Sequence, residues 1–187
     1  MLTLLSCTQT EKKKTQNIEI YLTKNRIESY QGIELENSNT DTLKIRALQN
    51  RWGKNQIRLD TIKSELILAG AFKANKTDLE NEPFIKADQI MAFDKSNGKL
   101  ILDSIATLKL SQLKSDSFGR QFVLTLNGRP EMFGYFYPSA FSFGCNTYHY
   151  PYLTNSKIKE LELHYGLELR NVEIKQEFPN LFEAIIK

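Results

Sequence analysis

The sequence predicts an α+β fold: a mostly antiparallel sheet with one central amphipathic helix and a C-terminal helix packed on it. Three observations carry this. Short apolar runs at Gln89–Phe93 and Lys99–Leu102 are joined by the turn-forming Lys95-Ser96-Asn97-Gly98. Asn127-Gly128, whose residues both tolerate positive φ, stands between two strand patterns, Gln121–Leu126 and Glu131–Tyr137. Helical patterns occupy Ser104–Leu113 and Glu177–Ile186.

In chain order, Met1 to Lys14 reads MLTLLSCTQTEKKK. Leu4-Leu5-Ser6-Cys7 resembles a bacterial lipobox, in which apolar residues and a small residue precede the cysteine that is diacylated and becomes the new N-terminus. The polar, lysine-rich Thr8–Gln16 resembles the tether that follows such cysteines. Residues 1–17 are therefore expected to be a truncated lipoprotein signal and tether, and residues 18–187 a single domain. A signal peptide needs a charged start and an apolar core of roughly 7–15 residues. Only six residues precede Cys7, so the reading expects a natural start further upstream. With Cys7 acylated, Cys145 is the other thiol and an intrachain disulfide is excluded; with Cys7 unmodified, a Cys7–Cys145 pair stays open.

Ile18–Lys24 alternates Ile18, Ile20 and Leu22 against Glu19, Tyr21 and Thr23, the period of a half-buried strand. Ile27–Leu35 is less regular, Asn37–Asp41 is polar enough for a loop, Thr42–Gln49 fits either a short helix or a strand, and Arg51–Asn55 reads as a turn. Lys63–Phe72 is the most apolar early segment and is expected to be a central strand, with Gly70 marking a bulge or a close backbone approach. Thr77–Glu82 reads as a short helical turn and loop, and Pro83 holds its predecessor extended. Asp103 is placed to cap the central helix. Ile105, Leu108 and Leu113 are expected on the helix's buried face, flanked by Ala106 and Leu110, with Gly119 as its stop. Phe122, Leu124 and Leu126 should share one face of their strand, Gln121, Val123 and Thr125 the other. Lys157–Tyr165 alternates again, Glu168–Lys175 suggests a last strand, and Pro179 opens the C-terminal helix.

A hydrophobic share of 41% and a charged share of 25% are ordinary for a globular chain. The net charge of +3 is small, and beyond Lys12-Lys13-Lys14 acids and bases alternate. A nucleic-acid partner would need a clustered basic face, which the sequence does not display. No apolar run approaches the roughly 20 residues that cross a bilayer as a helix, and no motif asks for a cofactor.

The central unit, Ala87 to Tyr137, resembles the head of the first periplasmic domain of the Sec translocon accessory protein SecD. The shared run comprises a strand ending near Phe93, Lys99–Leu102, an amphipathic helix, a G-x-x-F-x-L strand (Gly119, Phe122, Leu124) and Asn127-Gly128-Arg129-Pro130. It covers about a quarter of the chain and implies an α+β fold in an extracytoplasmic setting. The proton-conducting transmembrane part of that family has no counterpart here, so translocase activity is not implied. With its N-terminus and aromatic tract the chain also resembles small bacterial lipoproteins of the Bacteroidetes type, which bring no assigned activity.

Candidate chemistry is sparse. Cys145 and His149 are the nearest nucleophile–base pair, but four residues of loop do not impose the geometry a thiolate mechanism needs. Glu160, Glu162 and His164 would share a strand face and could hold a metal only with ligands from elsewhere; the reading assigns no metal site and no catalytic residue. Asp88, Asp94 and Asp103 are spread over turns and a cap. The tract Phe133–Tyr152 holds nine aromatic residues. Its Tyr135, Tyr137, Tyr148, Tyr150 and Tyr152 could form a platform for a protein, peptide or glycan partner; alternatively the phenylalanines Phe133, Phe136, Phe141 and Phe143 pack beneath the sheet and the tyrosines ring the core. The function expected is a non-enzymatic cell-envelope protein, lipid-anchored through Cys7, that binds a partner or ligand. The alternatives are a soluble immunity or inhibitor-type protein, cytoplasmic if Met1 is the true start, and a hydrolase using Cys145/His149 or Glu162/His164.

Overall fold

The computed structural model describes residues 17–30, 33–34, 46–47, 50, 58–60, 65–67, 69–114, 118–138, 145–153, 158–166 and 170–183. Along the chain these form β1 (Ile18–Leu22), β2 (Ile33–Glu34), β3 (Arg58–Asp60), β4 (Glu65–Ile67), β5 (Ile90–Asp94), β6 (Lys99–Leu102) and α1 (Ser104–Ser111). Then come β7 (Arg120–Leu126), β8 (Arg129–Pro138), β9 (Tyr148–Tyr152), β10 (Glu160–Leu161), β11 (His164–Tyr165), β12 (Arg170–Asn171), α2 (Ile174–Glu177) and α3 (Pro179–Glu183). Cys7, the lipobox, Phe141, Phe143 and Ile185 lie outside the described residues.

The organising element is a six-stranded sheet of order β1-β7-β8-β9-β11-β12, in which only the β8–β9 pair is parallel. The fold is α+β and mostly antiparallel. Asn127 and Gly128 take φ of 52° and 75°, the left-handed pair that matches a two-residue hairpin to the twist of its strands. Asn17 and Asn127 also exchange hydrogen bonds, Asn17 N donating to Asn127 Oδ1 and Asn127 N to Asn17 O. The first described residue is thus fastened to the hairpin end of the sheet.

Both faces of this sheet are covered. On one, Ile20, Phe122, Leu124, Phe136 and Tyr150 pack against β5, β6 and α1 residues such as Leu100 and Leu110. On the other, Val123, Tyr135 and Tyr137 meet Ala69, Phe72 and Cys145. The alternation expected for β7 therefore holds, but each face has its own core. A second sheet, β10-β6-β5, belongs to the first core's side. In a third, β2-β4-β3, the apolar segment expected as a central strand supplies the middle member, β4. Gly70, just beyond it, is buried, and its carbonyl accepts the Ser29 and Tyr135 hydroxyls.

Three local expectations need correction. Asp103 does cap α1, its Oδ1 accepting from Ala106 N at 2.7 Å, but the buried face carries Ala106, Thr107 and Leu110. Ile105 and Leu108 stay 60% and 57% exposed. Apolar residues are spread around this short helix, so periodicity selects no face. A tertiary bond helps to fix its roll, Lys109 Nζ donating to Phe84 O, while Thr107 Oγ1 turns back within the helix to donate to Asp103 O. The helix ends at Ser111, well before Gly119. Gly119 serves a close approach instead: its φ is 77°, and a Cβ there would lie 2.9 Å from Phe136 O. Finally, the alternating Lys157–Tyr165 stretch divides between two sheets, β10 pairing with β6 and β11 with β9, and the expected last strand is confined to β12 before α2 begins.

Candidate functional site

The five tyrosines do not form an exposed platform. Tyr135, Tyr137, Tyr150 and Tyr152 are core residues and Tyr148 is half-buried. The reason is their position on β8 and β9, interior strands of a sheet covered on both sides. Buried tyrosine needs a partner for its hydroxyl. Tyr150 donates to Gly98 O at 2.7 Å, Tyr152 to Leu113 O at 3.2 Å and Tyr135 to Gly70 O at 2.9 Å. Tyr148 donates to Glu177 Oε2 at 2.5 Å and packs edge-on against Tyr165 and Phe178. The described tyrosines of the tract thus belong to the interior of the sheet or its edge, with their rings turned to the core.

Cys145 and His149 are likewise committed to structure. The thiol is 2% exposed and burial pushes it up to about 12. Its one proton serves the carbonyl of Ala69 at 3.4 Å or that of Thr147 at 3.8 Å. His149 Nδ1 lies 3.0 Å from the same Thr147 carbonyl; since a carbonyl only accepts, Nδ1 carries the proton. Glu160 pairs with Lys99 across β10 and β6, and Glu162 is exposed. Among the described residues no three His, Cys, Asp or Glu side chains converge as a metal site. Asp103 is the helix cap, and Asp94 accepts from the hydroxyl and amide of Ser96, which hold its carboxyl below its usual range.

His149 gives a pH signature. It faces His164 across β9 and β11, with ring centroids 5.9 Å apart, and Tyr137 edge-on at 6.0 Å. Burial, with a smaller contribution from His164, lowers its pKa below the model-peptide value of 6.5. A depressed histidine pKa means the unfolded chain takes up the proton first, so this stability is present above pH 6.5 and is lost as pH falls below it. Urea midpoints should therefore drop from about pH 7.5 to about pH 5.5. The drop should shrink in His149→Asn, whose amide can donate to the Thr147 carbonyl; an equal drop in the variant would remove His149 as its source.

An open polar concavity lies elsewhere among the described residues. Thr23, Arg26, Lys114, Gly119, Arg120 and Gln121 line a recess of about 100 Å³. Two stretches distant in sequence supply it: the chain leaving β1, with Thr23 and Arg26, and the stretch that runs from the exit of α1 into the start of β7. Gln121 sets the geometry. Its Oε1 accepts from Ile27 N at 2.7 Å and its Nε2 donates to Ile27 O at 2.8 Å and to the Tyr135 hydroxyl at 3.2 Å. That amide pairing continues the sheet sideways and holds the segment carrying Arg26. Arg26 then donates to Gly119 O at 3.2 Å and lies 5.6 Å above the Tyr135 ring. Arg120 donates through Nη2 to Thr23 O at 2.7 Å and to Glu80 Oε1 at 3.1 Å. Glu80 in turn lines a neighbouring recess of about 260 Å³ with Tyr21, Lys24, Lys76 and Asn81, so the Arg120–Glu80 ion pair stands between the two. Sequence reasoning misses this cluster because its cations sit among mixed charges and only the fold brings Arg26 to Lys114 and Arg120.

Searches of protein families, curated proteins and solved structures find no match to this chain.

Proposed function

We propose that the protein is a non-enzymatic binding domain of the bacterial cell envelope, held to the membrane by lipid on Cys7. The observation that carries this is the junction of lipobox, tether and fold. Leu4-Leu5-Ser6-Cys7 and the polar Thr8–Gln16 run directly into Asn17, which is pinned to the β7–β8 turn, and β1 begins at the next residue. Acylation at Cys7 would therefore leave the whole described core downstream of the polar stretch Thr8–Gln16. The binding half of the reading is supported by contrast: Cys145 and His149 are sealed into the core, whereas Arg26, Lys114 and Arg120 line an open recess.

Intact-mass spectrometry of the protein made in its native host from the full upstream reading frame tests the anchor. The expected mass lacks everything before Cys7 and carries a diacylglyceryl group with or without a further acyl chain. Cys7→Ala should abolish both changes. An unmodified chain retaining Met1 would sink the envelope assignment and put the soluble immunity or inhibitor-type reading first.

A further inference from the structure

We infer that Asn127 is a site of self-modification, losing its side-chain amide to attack by the backbone nitrogen of Gly128, while the fold protects the chain's other Asn-Gly pair, Asn97-Gly98. The chemistry belongs to the chain alone and needs neither the anchor nor a ligand.

The step balances with water as co-reactant. The Gly128 amide gives its proton to solvent base, and its nitrogen bonds to Asn127 Cγ. The Cγ–Nδ2 bond breaks, and Nδ2 leaves as ammonia. Water then opens the resulting succinimide ring at either carbonyl, giving aspartate or isoaspartate. Glycine favours ring closure because no Cβ obstructs the approach.

Both asparagines are exposed, and both offer a polarised electrophile. Asn127 Oδ1 accepts from Asn17 N at 3.0 Å and Asn97 Oδ1 from Lys99 N at 2.9 Å. A fixed amide donor at that oxygen supports the charge it gains as the tetrahedral intermediate forms.

The nucleophiles differ. Gly98 N donates to Asp94 O at 2.8 Å, and Gly98 is buried, with a Cβ there 2.7 Å from Leu163 Cδ2. Its carbonyl is held too, by the Tyr150 hydroxyl. An amide tied to a carbonyl and shut from water gives up its proton only when the loop opens. Gly128 N has no partner among the described residues, and nothing lies within 4 Å of where its Cβ would stand. That peptide is open to base and has room to turn toward Cγ.

The product reaches β1. Asn17 N and Asn127 N bond reciprocally across this turn. Aspartate keeps an acceptor oxygen for Asn17. Isoaspartate routes the main chain through the former side chain, so the carbonyl that held Asn17 becomes a peptide carbonyl. The extra methylene also lengthens a two-residue turn that sets Leu126 opposite Arg129.

The test is peptide mapping by mass spectrometry of the full chain held in mildly alkaline buffer, reading hydroxyl-for-amide exchange at each Asn-Gly pair. Asn127 should convert about tenfold faster than Asn97 or more, the rate equivalent of one amide hydrogen bond. In urea, with both loops open, the two rates should converge. Equal rates in the folded chain, or an inert Asn127 while the unfolded chain converts, would overturn the site. Amide exchange of the isoaspartyl fraction, against Asn127→Asp as reference, reads the release of Asn17. Protection at Asn17 should be lost and that at Ile20, which donates to Ile85 O at 2.9 Å, kept. An Asn17 amide as protected as in the reference would overturn the unfastening.

Discussion

Gln121→Leu is expected to cost about 3–5 kcal/mol of folding stability, although leucine nearly matches glutamine in volume. Gln121 is 2% exposed at the first inward position of β7 and uses its amide as a piece of extra backbone. It satisfies both the N–H and the C=O of Ile27, accepts weakly from Thr23 Oγ1 at 3.4 Å and donates to the Tyr135 hydroxyl. Leucine would strand these groups together. A buried polar group without a partner costs about 1–3 kcal/mol. Ile27 is only half-buried and can recover some water, and Tyr135 keeps Gly70 O and Ser29 as partners, so the sum falls short of four full penalties. Urea unfolding of parent and variant measures it. A cost under about 1 kcal/mol would show that the segment from Lys24 to Ser29 does not depend on the amide.

This dependence explains which features were legible in the sequence. β1, the Asn127-Gly128 turn and the Asp103 cap are specified by residues within a few positions of one another, and each is found where expected. The buried face of α1 is not, since it follows from Lys109 reaching Phe84 O and from Ala106 permitting close approach. The tyrosines read as a platform because their burial depends on β9 lying parallel beside β8. Parallel strands usually need a crossover of a dozen or more residues, whereas only 139–147 separate these two, a stretch in which Cys145 forms a bridge with Ala69. Nothing local announces that route. The recess is the extreme case: Arg26 meets Lys114 and Arg120 from a distant stretch of chain, and the residue that aligns Arg26 is an uncharged glutamine ninety-five positions away in sequence (121 − 26 = 95).

The parallel pairing itself gives the last prediction, that Gly134→Ala costs about 3 kcal/mol, the upper end of what overpacking usually does. Gly134 has no left-handed φ to explain it. It sits in β8 opposite Phe122 of β7. A Cβ there would lie 2.6 Å from Tyr148 O and 2.9 Å from Phe122 Cζ. The first contact is backbone of the neighbouring strand, so relief requires β9 to move. The second is a ring that packs in tilted contacts, 4.9 Å from the Phe136 ring and 5.5 Å from the Tyr150 ring, so displacing it disturbs large side chains of that core. Gly128→Ala is the control: its Cβ meets nothing within 4 Å, and only the φ of 75° opposes it, worth about 1–2 kcal/mol. Thermal unfolding of the two variants separates packing from backbone conformation. If Gly134→Ala proved no worse than Gly128→Ala, β8 and β9 would have room to part, and the close fit between these strands could not be what holds Tyr148 and Tyr150 in place.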